Sequence, residues 1–186
     1  MAEIGIDRVR TRTIAERAGV NQALVHYHFG SVSALVMEAA EHALLQELGP
    51  SIDALSSGAT LGDGIKSLLE WIEDGGQRMP GSRILAEAMV KATRDPAFRR
   101  WTRQASQRFR GMILDRLTAA YDNDEIDSAL DLEATATLLA AAFDGLLFHR
   151  LVDPGLDVRQ TAGPISVMLG KAQPSRSAGR RTTKRR

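Results

Sequence analysis

The sequence of 186 residues contains no cysteine, which removes disulfides and thiolate metal sites and fits a reducing cytoplasm. Aromatic residues are scarce, at 5%, with two Trp, two Tyr and five Phe. Alternating β-branched runs are almost absent, so a sheet has little to build on. No stretch approaches the roughly 20 apolar residues of a membrane span. The opening MAEIGIDRVR has no basic region followed by an apolar run, so it is not a secretory signal. Enzyme signatures are missing too. There is no glycine-rich phosphate loop and no nucleophile elbow. His26 and His28 stand two apart, on different faces of a helix, whereas a helical zinc pair stands four apart. His42 and His149 are isolated, and Asp144 and His149 are too poorly spaced for an acid–base pair. The reading is therefore not an enzyme, with no catalytic residue, no metal and no cofactor.

What is present is an ordinary globular composition, 44% hydrophobic and 25% charged. The length suits one unit, or a small module joined to a larger one. The net charge of +1 is unevenly spread: from Lys171 onward there are seven basic residues and no acid. Residues 1–170 thus hold 17 basic against 23 acidic residues, a charge of −6. The segment 171–186 reads as a solvated, disordered basic tail, able to touch a polyanion loosely.

Helical spacing recurs along the rest, and the fold class expected is all-α. Residues 11–18 read as a short helix, capped by Thr11 or by a box of Thr13 and Glu16. Gly19 suits a left-handed helix end. Asn21 caps a second helix to about Tyr27, and Ser31 a third, to about Leu48 before Gly49-Pro50. Further helices are expected over 61–78, 82–93 and 96–121. The most apolar helix runs from Leu132 to Leu151, and a short one over 160–169 is interrupted by Gly163-Pro164.

The first two helices, joined through Ala18-Gly19-Val20, make a helix-turn-helix. Ile14, Ala15 and Ala18 line one face of the first, and Val20 plugs the angle between the two. Val25 and Phe29 share the buried face of the second. Gln22, Ala23, His26 and Tyr27 are left outward, where the start of such a helix enters a DNA major groove.

The segment TIAERAGVNQALVHYHFGSVSAL resembles the DNA-binding segment of the tetracycline-repressor (TetR) family of bacterial transcription regulators. Ile14-Ala15, Ala18-Gly19-Val20, His28-Phe29 and Leu35 carry the likeness over about residues 11–36, and the stretch from Asp144 to Leu151 looks like the family's penultimate helix. The resemblance implies that Arg12, Asn21, Gln22, Ala23, Leu24, His26, Tyr27 and His28 stand at or beside DNA. The Gln22 amide would bond an adenine edge, and Ala23 and Leu24 would meet thymine methyls. His26, Tyr27 and His28 would hold phosphates, although His28 also fits a ring packed inside the module. Position 32 is Val where the family usually has Lys, which removes a phosphate contact.

The family also has a whole helix ahead of this motif. Only residues 1–4 stand for it, so Ile4, Ile6, Val9 and Ile14 are expected to lack partners, and a start upstream of Met1 is expected. The resemblance divides the chain into a helix-turn-helix module over 1–47, a helical ligand-sensing and dimerising domain over 48–170, and the tail. It implies a cytoplasmic regulator, commonly a repressor, with double-stranded operator DNA, a small-molecule effector and a second copy of itself as partners. The dimer would form through the helix from Leu132 to Leu151 and the last helix. Trp71, Met79, Leu85, Met89, Trp101, Phe109, Met112 and Phe143 are the candidate effector-lining residues. The alternative is a helical ligand-binding and dimerising protein that has lost specific DNA binding through truncation.

Overall fold

The computed structural model describes residues 5–56, 60–78 and 80–170. Among them every element is helical. A 3-10 turn at Ile6–Arg8 leads into α1 (Thr11–Ala18), α2 (Gln22–Phe29) and α3 (Val32–Ser56). Then come α4 (Leu61–Arg78), α5 (Pro80–Ala92), α6 (Pro96–Asp122), α7 (Leu132–Val152), a second 3-10 turn (Val158–Thr161) and α8 (Ala162–Leu169). The basic tail lies outside the described residues.

Local chemistry accounts for several helix starts. Asn21 accepts from the Ala23 N–H at 2.8 Å, Ser31 from Ala34 at 3.1 Å, and Asp95 from Ala97 at 2.8 Å, with Pro96 in the first turn. Thr11 is not a cap. It is the first helical residue and is buried, and Arg10 in the cap position makes no side-chain cap bond.

Two expected breaks do not occur. α3 runs through Gly49-Pro50 to Ser56, and so across residue 47, where a module boundary was expected. A proline inside a helix deletes one backbone bond and crowds the preceding turn. Here Leu44 and Leu48 pack into the core before it, and Ser51 is buried after it, its hydroxyl donating to the Ser67 carbonyl of α4 at 3.3 Å. Packing on α4 outweighs the local break. Gly163-Pro164 lies in the first turn of α8, where proline's missing N–H costs nothing, and buried Ile165 and Leu169 hold the helix down.

Three apolar clusters organise the molecule. The largest joins α4, α6, α7, α8 and the second 3-10 turn around Leu69, Ile72, Leu117, Phe143 and Val158. A second joins α3, α5 and α6 around Val36, Ala88 and Phe98. Ile6 and Val9, expected to lack partners, are buried in it. The third is small: Ala15, Val25 and Leu35, with Ile14 and Phe29 against them.

α7 contradicts one expectation, since Leu132–Val152, with an 18-residue stretch of mean hydropathy 1.3, is by length and composition apolar enough to cross a membrane. In the fold one stripe of it (Ala136, Leu139, Ala140, Phe143, Leu147) is core. An ion pair ties it to its neighbours: Arg150 meets Glu73 of α4 at 3.3 Å, and Glu73 also accepts from the Val158 N–H at 2.9 Å.

Candidate functional site

The turn between α1 and α2 rests on Gly19, whose φ of 66° and ψ of 28° are left-handed. Its N–H and that of Val20 close back on the Glu16 and Ala15 carbonyls at 3.3 and 3.0 Å. The packing differs in detail from the sequence expectation. Ala18 is exposed, and Val20 is 39% exposed rather than plugging the angle. The crossing is sealed instead by Ala15, Val25 and Leu35, so the first turns of α3 supply the third wall. Val32 is half-buried against the second cluster, an apolar role for a position where the resembled family usually has a lysine.

With Val25 inside and Phe29 half-buried, the rest of α2 faces out. Gln22, Ala23, Leu24, His26, Tyr27 and His28 are all exposed, Tyr27 at 84%. His28 does not pack inside the module. Its ring stands edge-on to Tyr27, with centroids 5.2 Å apart. Asn21 is occupied as the helix cap, so its effect on this face is to fix where the helix starts. Arg12 donates from Nε to Glu16 Oε1 at 2.8 Å, an exposed pair worth under about 1 kcal/mol and easily exchanged for a phosphate.

Sequence reasoning passed over Arg8, Arg10 and Arg17, which are exposed and lie within a few residues of Arg12 along the chain. From Gly5 to Ser31 there are four arginines against Asp7 and Glu16, a net basic surface on a body that is acidic. That local reversal of charge was the available signal.

The segment ahead of α1 is anchored on α5. The Ile6 N–H donates to Glu87 Oε2 at 2.6 Å, and Asp7 pairs with Lys91, whose ammonium lies 5.2 Å from the centre of the Phe98 ring. The bond from Lys91 holds the Asp7 carboxyl below the usual carboxylate range.

A second feature lies in the larger bundle. A cavity of about 390 Å³, mostly apolar, opens between α3, α4, α5, α6 and α7. Trp71, Leu85, Met89, Trp101, Phe109, Met112 and Phe143 line it together, whereas Met79 lies outside the described residues. Phe109 and Phe143 meet edge to face at 6.2 Å. The sequence reading missed Asp144 as a lining residue. It is the one charge between Ala134 and Leu147 in an otherwise apolar helix, which was the signal. Burial pushes its carboxyl up to about 6. α3 connects the two features: Leu35 belongs to the small core of the helix-turn-helix, while Leu44, Leu45 and Leu48 line the cavity. Among the described residues no group of three or more His, Asp or Glu is placed to hold a metal.

Comparison with known proteins gives two matches to family models. The tetR family of bacterial regulatory proteins matches residues 1–39, and the C-terminal region of BetI-type transcriptional repressors matches residues 64–163. No curated protein matches the chain. Among solved structures, a protein designated a TetR-family transcriptional regulator from Rhodococcus sp. is 23% identical with a TM-score of 0.77, covering 91% of this chain and 92% of that one. The transcriptional regulator FadR from Bacillus subtilis, in complex with stearoyl-CoA, is 14% identical with a TM-score of 0.71, covering 90% of each. A structure designated a transcriptional regulator from Saccharomonospora viridis, in complex with choline, is 22% identical with a TM-score of 0.70, covering 90% of this chain and 88% of that one. At these identities the shared property is the fold.

Proposed function

The chain belongs to the TetR family of bacterial regulatory proteins, and from that premise we propose that it is a cytoplasmic, ligand-responsive repressor that binds an inverted-repeat operator as a homodimer. Its family and its structural neighbours are transcriptional regulators, not enzymes. The observation that carries the proposal is the outer face of α2, where Gln22, Ala23, Leu24, His26, Tyr27 and His28 are exposed together on a helix whose opposite face is packed.

In this reading Gln22 reads an adenine edge, and Ala23 and Leu24 contact thymine methyls. Arg12, His26, Tyr27 and His28 hold phosphates and so set the register. Asn21 fixes the start of the reading helix through its cap. Residues 1–47 are the reader and 48–170 the sensing and dimerising unit, with α3 shared between them. Apolar side chains left open on α7 and α8, among them Leu138 at 54% and Val167 at 79%, support pairing through these helices. A two-fold dimer reads two half-sites, hence the inverted repeat. The effector enters the cavity under Trp71 and Trp101, as the neighbours' complexes with stearoyl-CoA and choline encourage. A ligand that displaces the Leu44–Leu48 part of α3 moves the wall that supports Val25, and with it the reading helix.

The test is retention of DNA flanking the protein's own gene. The expected result is a protected inverted repeat, with Gln22→Ala weakening binding by about 1–3 kcal/mol per half-site and Tyr27→Ala weakening it without changing the preferred sequence. Sequence-blind, salt-sensitive binding that disappears on deleting residues 171–186 would overturn the proposal and favour a protein that senses and dimerises without reading DNA.

A further inference from the structure

We infer that the cavity binds an organic cation, an amine or quaternary ammonium on an apolar body, with its charge placed between the Asp144 carboxylate and the rings of Trp71, Trp101, Phe109 and Phe143. The inference deepens the effector reading above and rests on it for biological meaning, though not for its test.

A carboxylate in a mostly apolar wall loses hydration, and it is tolerated only if something compensates it. Asp144 lines this cavity, and among the described residues it has no hydrogen-bond donor and no ion-pair partner. The other charged lining groups do not serve it. Glu41 of α3 and Arg108 of α6 pair with each other at 2.9 Å, Arg103 is exposed, and Arg110 is half-buried. Glu73 of α4, on the helix packed against α7, is taken by Arg150. A cationic ligand would supply the counter-charge that no described residue gives Asp144.

The aromatic lining points the same way. Ring faces carry negative charge density and attract a cation, more so where water is excluded. Four of the nine Phe, Trp and Tyr residues of the chain line this one cavity, both tryptophans among them. The indole N–H groups of Trp71 and Trp101 are buried with no acceptor among the described residues. An anion placed inside would be repelled by Asp144 and attracted only by Arg103, which is exposed, and Arg110, which is half-buried, since Arg108 is paired with Glu41. A neutral body would leave Asp144 without a counter-charge. At about 390 Å³ the space lies toward the small end of ligand sites.

Because both tryptophans line the cavity, their fluorescence reports occupancy without DNA. Three probes separate the possibilities: benzyltrimethylammonium, its neutral isostere neopentylbenzene, and the anion octanoate. The expected result is saturable quenching by the ammonium, at least about tenfold tighter than by the neutral isostere, since one charge–carboxylate contact is worth about that much. Asp144→Asn should remove most of that difference, leaving only the share the rings supply, with helical content and oligomeric mass unchanged. The quaternary probe has no proton to lose, so weakening of its binding as pH falls through 6 reports the protein's carboxyl. Equal affinity for ammonium and isostere in the unaltered protein overturns the inference, as does preference for octanoate, which Arg103→Ala or Arg110→Ala would then reduce. Absence of a saturable change with all three overturns it as well. Cation binding that leaves operator binding untouched would instead sink the effector reading and leave this inference standing.

Discussion

Val25→Ala tests whether the reading helix is held by a packing unit of its own. Val25 is buried with Ala15 and Leu35, and only Ile14 and Phe29 add partial cover. The change removes two methyl groups. At about 0.8 kcal/mol each, plus a term for the space left, the loss is about 2 kcal/mol. The cluster that joins α4, α6, α7 and α8 shares none of these side chains. The damage should therefore stay local, with opening of residues 11–30 favoured about 30-fold. Hydrogen exchange measures this directly. Amides of α2 should exchange about 30-fold faster, those of α4 and α7 should not change, and operator affinity should fall while probe binding in the cavity is kept. Acceleration spread equally over α2 and α7 would refute the reasoning, because it would mean that reader and bundle unfold as one.

Four further outcomes are expected. Gly30 has φ 69° and ψ −42°, a region less accessible to side chains than the left-handed helical one of Gly19, and neither has a neighbour within 4 Å of an added Cβ. Backbone strain alone should make Gly30→Ala cost about 2–3 kcal/mol of reader stability against about 1 for Gly19→Ala; the reverse order in hydrogen exchange would show packing to be involved. Glu73→Gln leaves Arg150 buried with its Nε and Nη1 otherwise unpartnered, so about 3 kcal/mol should be lost, lowering Tm by roughly 6–12 °C. The exposed Lys66–Glu70 pair serves as the control, and Glu70→Gln should cost under about 1 kcal/mol. Asp144 binds its proton more tightly in the folded state (about 6) than at its ordinary 3.8, so stability is lost as pH rises between these values and is flat above. Asp144→Asn should then gain about 1–2 kcal/mol at pH 7.5, allowing for partial solvation, and nothing at pH 4; a loss at pH 7.5 would reveal a partner for the carboxylate. Leu138→Glu combined with Val167→Glu should give a monomeric mass in light scattering if α7 and α8 form the dimer, and an unchanged mass would place the interface elsewhere.

Local sequence was enough for whatever depends on a few consecutive residues. The short helices flanking Gly19, the caps at Asn21 and Ser31, and the outward run from Gln22 to Tyr27 follow from turn chemistry and from a spacing that leaves Val25 alone on the inner face. The all-helical architecture follows from the absence of strand patterns. Where competing neighbours decide, the sequence was mute. Gly49-Pro50 carries a local instruction to stop, and only the docking of Ser51 on α4 shows it overruled. Ile6 and Val9 look unpartnered along the chain, yet they are buried because α3, α5 and α6 converge on them. His28 could be read as inside or outside the module until the depth of that small core was known. The resemblance marked Trp71, Trp101 and Phe109 as candidate lining residues, but a helix cannot know whether the space it faces is filled. That is settled by the volumes arriving from four other helices, and here they leave a cavity with Asp144 in its wall.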